Sequence, residues 1–399
     1  MPDAAPLPAR LDALRELSRR LAARRDDLVA AAGEDTGAPC RIAGIEVDLA
    51  VEHLAGMEEE APLVAGTSPY GAVAAIFPYD AVPVMLARVG GAALLGGNRF
   101  RFNCSSQTPR TAAVVREIVA PFPELETPPA GTDNRTFGRA CVRDPAVRVF
   151  FISGGGEVGA VYAREAAHFD KIFFAGPSGL PPVIFCRDAP LEAAVPFLVR
   201  RAFLNGGQYC TCPKRVYLHR DLYDEARDRI LAMMPEIRVG DPADPTTWIG
   251  PIRVERTRKL LKQALELLKD ARFLLPPRRD GVWQGPFLVE TADPPEMELF
   301  GPFLALVRVA DDEEAVARVL AGRYPFAVVT FGALPAGARE RLAAAFGMTY
   351  HDPDFLFTPL RLPFGGRKRS GWILEWRQGK LRRRDGAFSY TAELVRSEK

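Results

Sequence analysis

Apolar residues recur at helical spacing from the first turns of the chain. Leu11, Leu14, Leu17, Leu21 and Leu28 stand among arginines and acids, which predicts an amphipathic helical segment over about residues 8–32. A second helix is expected over 45–57. Short apolar runs, too short for helices and rich in Val, Ile and Phe, predict strands at 72–77, 148–152, 182–186, 215–218, 303–309 and 326–331. Helical patterns lie between most of them, at 109–119, 157–168, 191–204, 222–234, 254–269, 312–320 and 336–346. Strands alternating with helices of this length imply an α/β protein with parallel sheets. There is no internal repeat and no low-complexity linker.

Length and charge narrow the classes. The chain has 399 residues, enough for two domains, and its hydrophobic (48%) and charged (26%) fractions are those of a folded globular protein. Its 52 Lys and Arg nearly cancel its 50 Asp and Glu, so charge gives no reason to expect a nucleic-acid partner. The dense basic stretch Arg382-Arg383-Arg384 is read as a solvated helix face or loop. No apolar run is long enough to span a bilayer, and no basic stretch leads into an apolar core at the N-terminus. Six scattered cysteines and four separated histidines fit neither a disulfide framework nor a zinc site. The expectation is a reduced, cytoplasmic protein with no metal and no membrane partner.

Candidate chemistry centres on Asn205-Gly206-Gly207-Gln208-Tyr209-Cys210-Thr211-Cys212, between a predicted helix and a predicted strand. Glycines there let the backbone approach a ligand closely. Lys214 and Arg215 follow directly and are expected to favour a thiolate at the cysteine, the form that attacks. A second candidate is Gly154-Gly155-Gly156-Glu157-Val158-Gly159, which ends one predicted strand and opens a helix. Free amides and the helix dipole favour a phosphate at such a turn.

Gly207-Gln208-Tyr209-Cys210 resembles the nucleophile motif of the aldehyde dehydrogenase superfamily, with Cys210 rather than Cys212 in the nucleophile position. Other segments match in order. Pro78-Tyr79-Asp80-Ala81-Val82-Pro83 resembles a P-W-N-x-P turn, and Ile152-Ser153-Gly154 through Gly159 resembles F-T-G-S-x-x-V-G. Glu298-Leu299-Phe300-Gly301-Pro302 resembles E-x-F-G-P, and Pro363-Phe364-Gly365-Gly366 closes the set. The resemblance implies a Rossmann-like cofactor domain at 1–178, an α/β catalytic domain at 179–385 and an oligomerisation tail at 386–399. It implies NAD or NADP as cofactor, an aldehyde or acyl substrate and a homodimer. Phe77, Tyr79, Asn103, Gly154, Gly155, Gly159, Glu298 and Phe300 would then contact the cofactor, Glu298 at the ribose hydroxyls and Phe300 beside the nicotinamide.

Three positions depart from the pattern. Asp80 replaces the asparagine that donates to the oxyanion; an ionised carboxylate offers no donor, although a protonated one does. Asn103 replaces a nucleotide-binding lysine, with Ser106 for a nearby glutamate; Arg99 and Arg101 share one strand face and are read as solvated. Gly176 aligns with the general-base glutamate. The expected activity is NAD(P)-dependent oxidation of an aldehyde, or reduction of an acyl thioester, through a covalent Cys210 thioester. The alternatives are a coenzyme A-dependent acylating variant and a non-catalytic partner or ligand-binding subunit.

Overall fold

The computed structural model describes residues 5–397 except Gly155, with the side chains of 156–158 also left aside. Two seven-stranded sheets organise it. In the first, five parallel strands lie in the spatial order Ile172–Ala175, Val147–Ile152, Ala72–Ile76, Arg99–Asn103, Leu125–Glu126. Ala72–Ile76 is buried throughout, as a central strand covered on both faces requires. The chain first builds outward from that strand on one side, then crosses to add Val147–Ile152 on the other. The crossing opens a crevice at the carboxyl ends of these two neighbours, where doubly wound sheets bind ligands.

The second sheet runs Met348–His351, Ala327–Phe331, Pro182–Phe185, Arg215–His219, Phe303–Val309, Phe287–Glu290, Arg272–Leu275. All pairs are parallel except the last. The Cys210 loop feeds the amino end of Arg215–His219, so it faces the crevice of the first sheet across a cleft.

Three N-terminal helices pack against the helices that flank the first sheet. The leucine stripe is real: Leu14, Leu17, Leu21 and Leu28 are buried. It belongs to two helices, Leu7–Ala23 and Arg25–Thr36, because the backbone breaks at Arg24 (φ −110°, ψ 20°). Cys40–Gly56 packs against both.

The end of the chain departs from expectation. Trp372–Arg377 hydrogen-bonds antiparallel to Ile172–Ala175, and Lys380–Arg384 follows as the outer strand, so residues 372–384 return to the first sheet. The arginine run is thus an edge strand, where charge discourages further pairing; it is neither helix nor loop. Arg383 lies over the Trp372 ring at 5.2 Å, and Arg384 pairs with Glu375 at 2.8 Å. Gly386–Phe388 pairs with Phe364–Gly366, and Val395–Ser397 with Thr67–Pro69, both within the chain.

Candidate active site

Asn205, Gly206 and Gly207 all have left-handed backbone (φ 50°, 62° and 69°), which turns the chain sharply after the helix Leu191–Ala202. Gly207 must be glycine: a Cβ there would stand 2.2 Å from the Gly301 carbonyl oxygen. The Gly301 amide donates to the Gly207 carbonyl (3.0 Å), and the buried Lys214 Nζ donates to both carbonyls, at 2.8 and 2.6 Å. Lys214 therefore clasps the cysteine loop to the Glu298–Pro302 loop, and burial pushes its ammonium down to about 8. Arg215 is taken by Glu296 at 2.5 Å. The expectation that these two cations favour a Cys210 thiolate is corrected, because each is committed elsewhere.

Gly179 is equally constrained, since a Cβ would fall 1.8 Å from the Cys210 carbonyl oxygen. Gly179→Ala is expected to displace the nucleophile and cut turnover by at least about tenfold, since a displacement near 1 Å can cost far more. Turnover alongside the alkylation rate of Cys210 checks this; two unchanged rates would refute it.

Between the sheets lies a cavity of about 370 Å³. It brings together Cys210, Asp80, Tyr79, Gly154, Glu298 and Phe300. Tyr79 sets its ring edge-on to Phe300 (centroids 6.0 Å) and its hydroxyl 3.0 Å from Thr257 Oγ1. Phe77 borders the cavity, but its ring is buried and stacks on Phe102 at 5.0 Å. Cys212 is fully buried, its Sγ directed at the Leu204 carbonyl, so Cys210 alone of the two reaches the cavity.

Two expected cofactor contacts stand off the cavity. Gly159 permits close helix–strand packing instead: a Cβ there would meet Ala175 Cβ at 2.4 Å. Asn103 spends its amide on the Thr132 carbonyl (3.0 Å) and Asn134 Oδ1 (2.8 Å), and it is Asn134 that lines the cavity. Gly155 lies outside the described residues. Arg101 pairs with Glu126 and Asp144, and Arg99 also with Glu126, so neither supplies the charge missing at Asn103.

The electrostatics of the cavity come partly from residues that motif matching passed over. Glu46, on the helix Cys40–Gly56, is buried and accepts a hydrogen bond from the Tyr209 hydroxyl. Burial, then the charge of Asp80, pushes the Glu46 carboxyl up to about 8 against the opposing Tyr209 bond. Asp80 is itself pushed up to about 7, by burial and then by Glu298, with its own backbone amide opposing. Burial, Asp80 and Glu298 drive the Cys210 thiol well above its ordinary value, and Arg88 opposes them. Arg88 and Arg201 are each 5% exposed and line the cavity. Neither makes an ion pair among the described residues, although the charge of Glu60 acts on Arg88. Arg88 lies 4.1 Å over the Phe364 ring with its Nε unpaired, and Arg201 bonds Thr358 Oγ1 at 3.1 Å.

The cavity suits the nicotinamide half of a dinucleotide. It starts at Ser153 and Gly154, where a strand ends and the helix Gly156–His168 begins, and reaches Cys210 past Glu298 and Phe300. Glu298 Oε1 accepts the Gly179 amide at 3.3 Å, which fixes the carboxylate at the cavity wall.

Known proteins resemble this chain in sequence and fold. The aldehyde dehydrogenase family matches residues 3–382. The succinate-semialdehyde dehydrogenase (NADP+) of Mycobacterium leprae is 29% identical over 327 residues, covering 76% of this chain and 69% of that protein. The N-succinylglutamate 5-semialdehyde dehydrogenase of Novosphingobium aromaticivorans is 25% identical over 361 residues, covering 83% and 76%. A crystal structure of an aldehyde dehydrogenase from Brucella melitensis biovar abortus 2308 superposes with a TM-score of 0.85 at 25% identity, covering 98% of this chain and 84% of that one. With a match along nearly its whole length and a cysteine loop facing a dinucleotide crevice, the chain belongs to the aldehyde dehydrogenase family, whose enzymes oxidise aldehydes with NAD or NADP.

Proposed function

We propose that this enzyme oxidises an aldehyde carrying a carboxylate at its far end, through a thioester on Cys210. The observation that carries the substrate class is the pair Arg88 and Arg201, two buried guanidiniums on the cavity wall with no ion pair among the described residues, Arg88 feeling only the more distant charge of Glu60. Burying a cation without a partner is costly, and a substrate anion repays that cost on binding. Both relatives named above act on aldehydes of this class by their names, which supports the reading.

Within this mechanism Cys210 Sγ adds to the aldehyde carbon. The oxyanion that forms faces Asp80, which donates while it is protonated, and the arginines hold the far carboxylate. Bound NAD or NADP supplies the hydride acceptor. The resulting acyl group stays on Cys210 until water or a thiol removes it.

Succinate semialdehyde and butanal, equal in carbon number, test the reading. The acid is expected to show a kcat/KM about 100-fold higher, and Arg88→Met to remove about 30-fold of that preference through KM, the worth of a charged hydrogen-bonded pair. Cys210→Ala is expected to leave no turnover. Equal use of both aldehydes by wild type would end the carboxylate reading without touching the role of Cys210.

An acylating reaction is the second reading, favoured because no residue between Ile172 and Gly179 carries a carboxyl to activate water. Turnover that depends on added coenzyme A would establish it. We also assign the cofactor to residues 1–178 with the hairpin 372–384 that joins their sheet, and the nucleophile to the second sheet. A cytoplasmic homodimer completes the proposal. Six free cysteines support a reducing compartment, and sedimentation at twice the chain mass tests the assembly.

A further inference from the structure

A Cys210 thioester must be hydrolysed by a water that gives up a proton, and the usual carboxylate is missing. Position 176 cannot supply one: Gly176 has φ 113°, and a Cβ would sit 2.7 Å from the Ser370 carbonyl oxygen. The carboxyl groups on the cavity wall are Glu46, Asp80 and Glu298. Glu298 stands with Phe300 on the nicotinamide side. Asp80 and Glu46 remain.

These two are joined behind the main cavity. A second cavity of about 20 Å³ is lined by Glu46, Asp80 and Asn205 among others. That is room for one water, which needs two to four polar partners to reside in a protein interior. Partners are at hand. Asn205 Oδ1 is buried without a hydrogen bond. One Glu46 oxygen takes the Tyr209 hydroxyl, and the carboxyl has a second oxygen to offer. The Asp80 carboxyl makes the third. Tyr209 precedes Cys210 in the chain, so the Glu46–Tyr209 bond also fixes this device to the nucleophile loop.

We propose that Asp80 and Glu46, bridged by a water, form a proton relay that drives hydrolysis of the Cys210 thioester. The proposal rests on the thioester reading above. In the step, the hydrolytic water forms a C–O bond to the acyl carbon and its proton passes to Asp80 Oδ. The C–S bond breaks, and its electron pair returns to Cys210 as thiolate. Asp80 hands the proton through the bridging water to Glu46 Oε, which begins the step as carboxylate and afterwards releases the proton to solvent, and no atom changes oxidation state. Asp80 thereby donates a hydrogen bond and keeps its proton while the thioester forms, and acts as base in its ionised form while the thioester is cleaved. Glu46 acts through Asp80 and is a positioning and relay residue.

The experiment uses p-nitrophenyl acetate, which acetylates a reactive thiol without any cofactor. The intact protein is acetylated, freed of ester, and followed by mass spectrometry as the acetyl group leaves. Glu46→Gln keeps the side-chain shape and an acceptor for Tyr209. It is expected to lose the acetyl group about 30- to 100-fold more slowly, the scale of lost general-base catalysis, and to slow far more in that loss than in its acetylation. Glu46→Asp should recover part of the rate. The double variant with Asp80→Asn should lose acetyl no more slowly than Asp80→Asn alone, because the two groups act in series. Wild-type loss in Glu46→Gln would overturn the relay, as would acetylation and loss slowing together. Failure of every variant, wild type included, to acetylate Cys210 would overturn the thioester reading along with it.

Discussion

Asp80→Asn is expected to acylate Cys210 about 100-fold faster than wild type at about pH 9, and at nearly the wild-type rate at about pH 6. Asp80 is pushed up to about 7, by burial first and then by Glu298. Below that value it is neutral and donates a hydrogen bond to the oxyanion. Two units above it, about one molecule in 100 still carries the proton, and the rest oppose the developing negative charge. An amide donates at every pH. Ionised Asp80 also holds back the Cys210 thiolate, so its removal helps a second time in the same direction. The groups facing Asp80 are Glu298, Glu46, Tyr79, Tyr209, Cys210 and Cys212, and taking the variant-to-wild-type ratio at each pH cancels titrations common to both proteins. Release of p-nitrophenolate from the activated ester measures the rate. A ratio that does not change between pH 6 and 9 would show that Asp80 does not switch between donor and carboxylate in this range. Hydrolysis of the acyl-enzyme should move the opposite way in this variant, since an amide cannot take a proton from water.

Periodicity carried most of the fold. Phe303–Val309, Pro109–Val119 and Asp312–Leu320 lie where the pattern places them, because each is a single uninterrupted run, the strand buried on both faces and each helix on one. The pattern was silent where a strand is short or belongs to an irregular edge. Leu125–Glu126 has two residues, and Lys380–Arg384 is a charged outer strand whose pairing depends on Trp372–Arg377 reaching Ile172–Ala175 from 200 residues away in sequence. Local composition cannot announce such a partner. The break at Arg24 was invisible for a related reason: leucine spacing continues smoothly through it.

The site was legible as a motif and opaque as an electrostatic system. Cys210, Asp80, Glu298 and Phe300 do converge on one cavity, and the named enzymes among the relatives support the catalytic reading. Lys214 and Arg215 misled because adjacency in sequence says little about where long side chains point after a strand begins. Arg88 was findable. It is the only charged residue between Val82 and Leu95, in a segment otherwise buried and apolar, and a lone cation there needs an explanation. Glu46 gave no comparable signal, because Asp48 and Glu52 follow it on the same helix and only the fold decides which one turns inward.

Glu46→Gln is expected to stabilise the protein above about pH 8 while it impairs hydrolysis. Burial raises the Glu46 carboxyl from its ordinary value to about 8 in the folded chain, so folding favours the protonated form. Its contribution to stability is therefore complete below the unfolded value near 4.5 and is lost as pH rises to about 8. Across that window the loss is on the order of several kcal/mol, because each unit of displacement is worth about 1.4 kcal/mol. Glutamine fills the same space and stays neutral, so it escapes the loss. Asp80 adds to the effect, since removing the charge of Glu46 also eases ionisation of Asp80. The melting temperatures of variant and wild type should agree near pH 5 and separate by several degrees near pH 9, with the variant higher. A constant offset at all pH values would mean that Glu46 is not a buried acid, and with it would go the proton store that the relay requires. A catalytic carboxyl held against its own solvation preference is destabilising by construction, and this enzyme would be trading that stability for a base it cannot place at position 176.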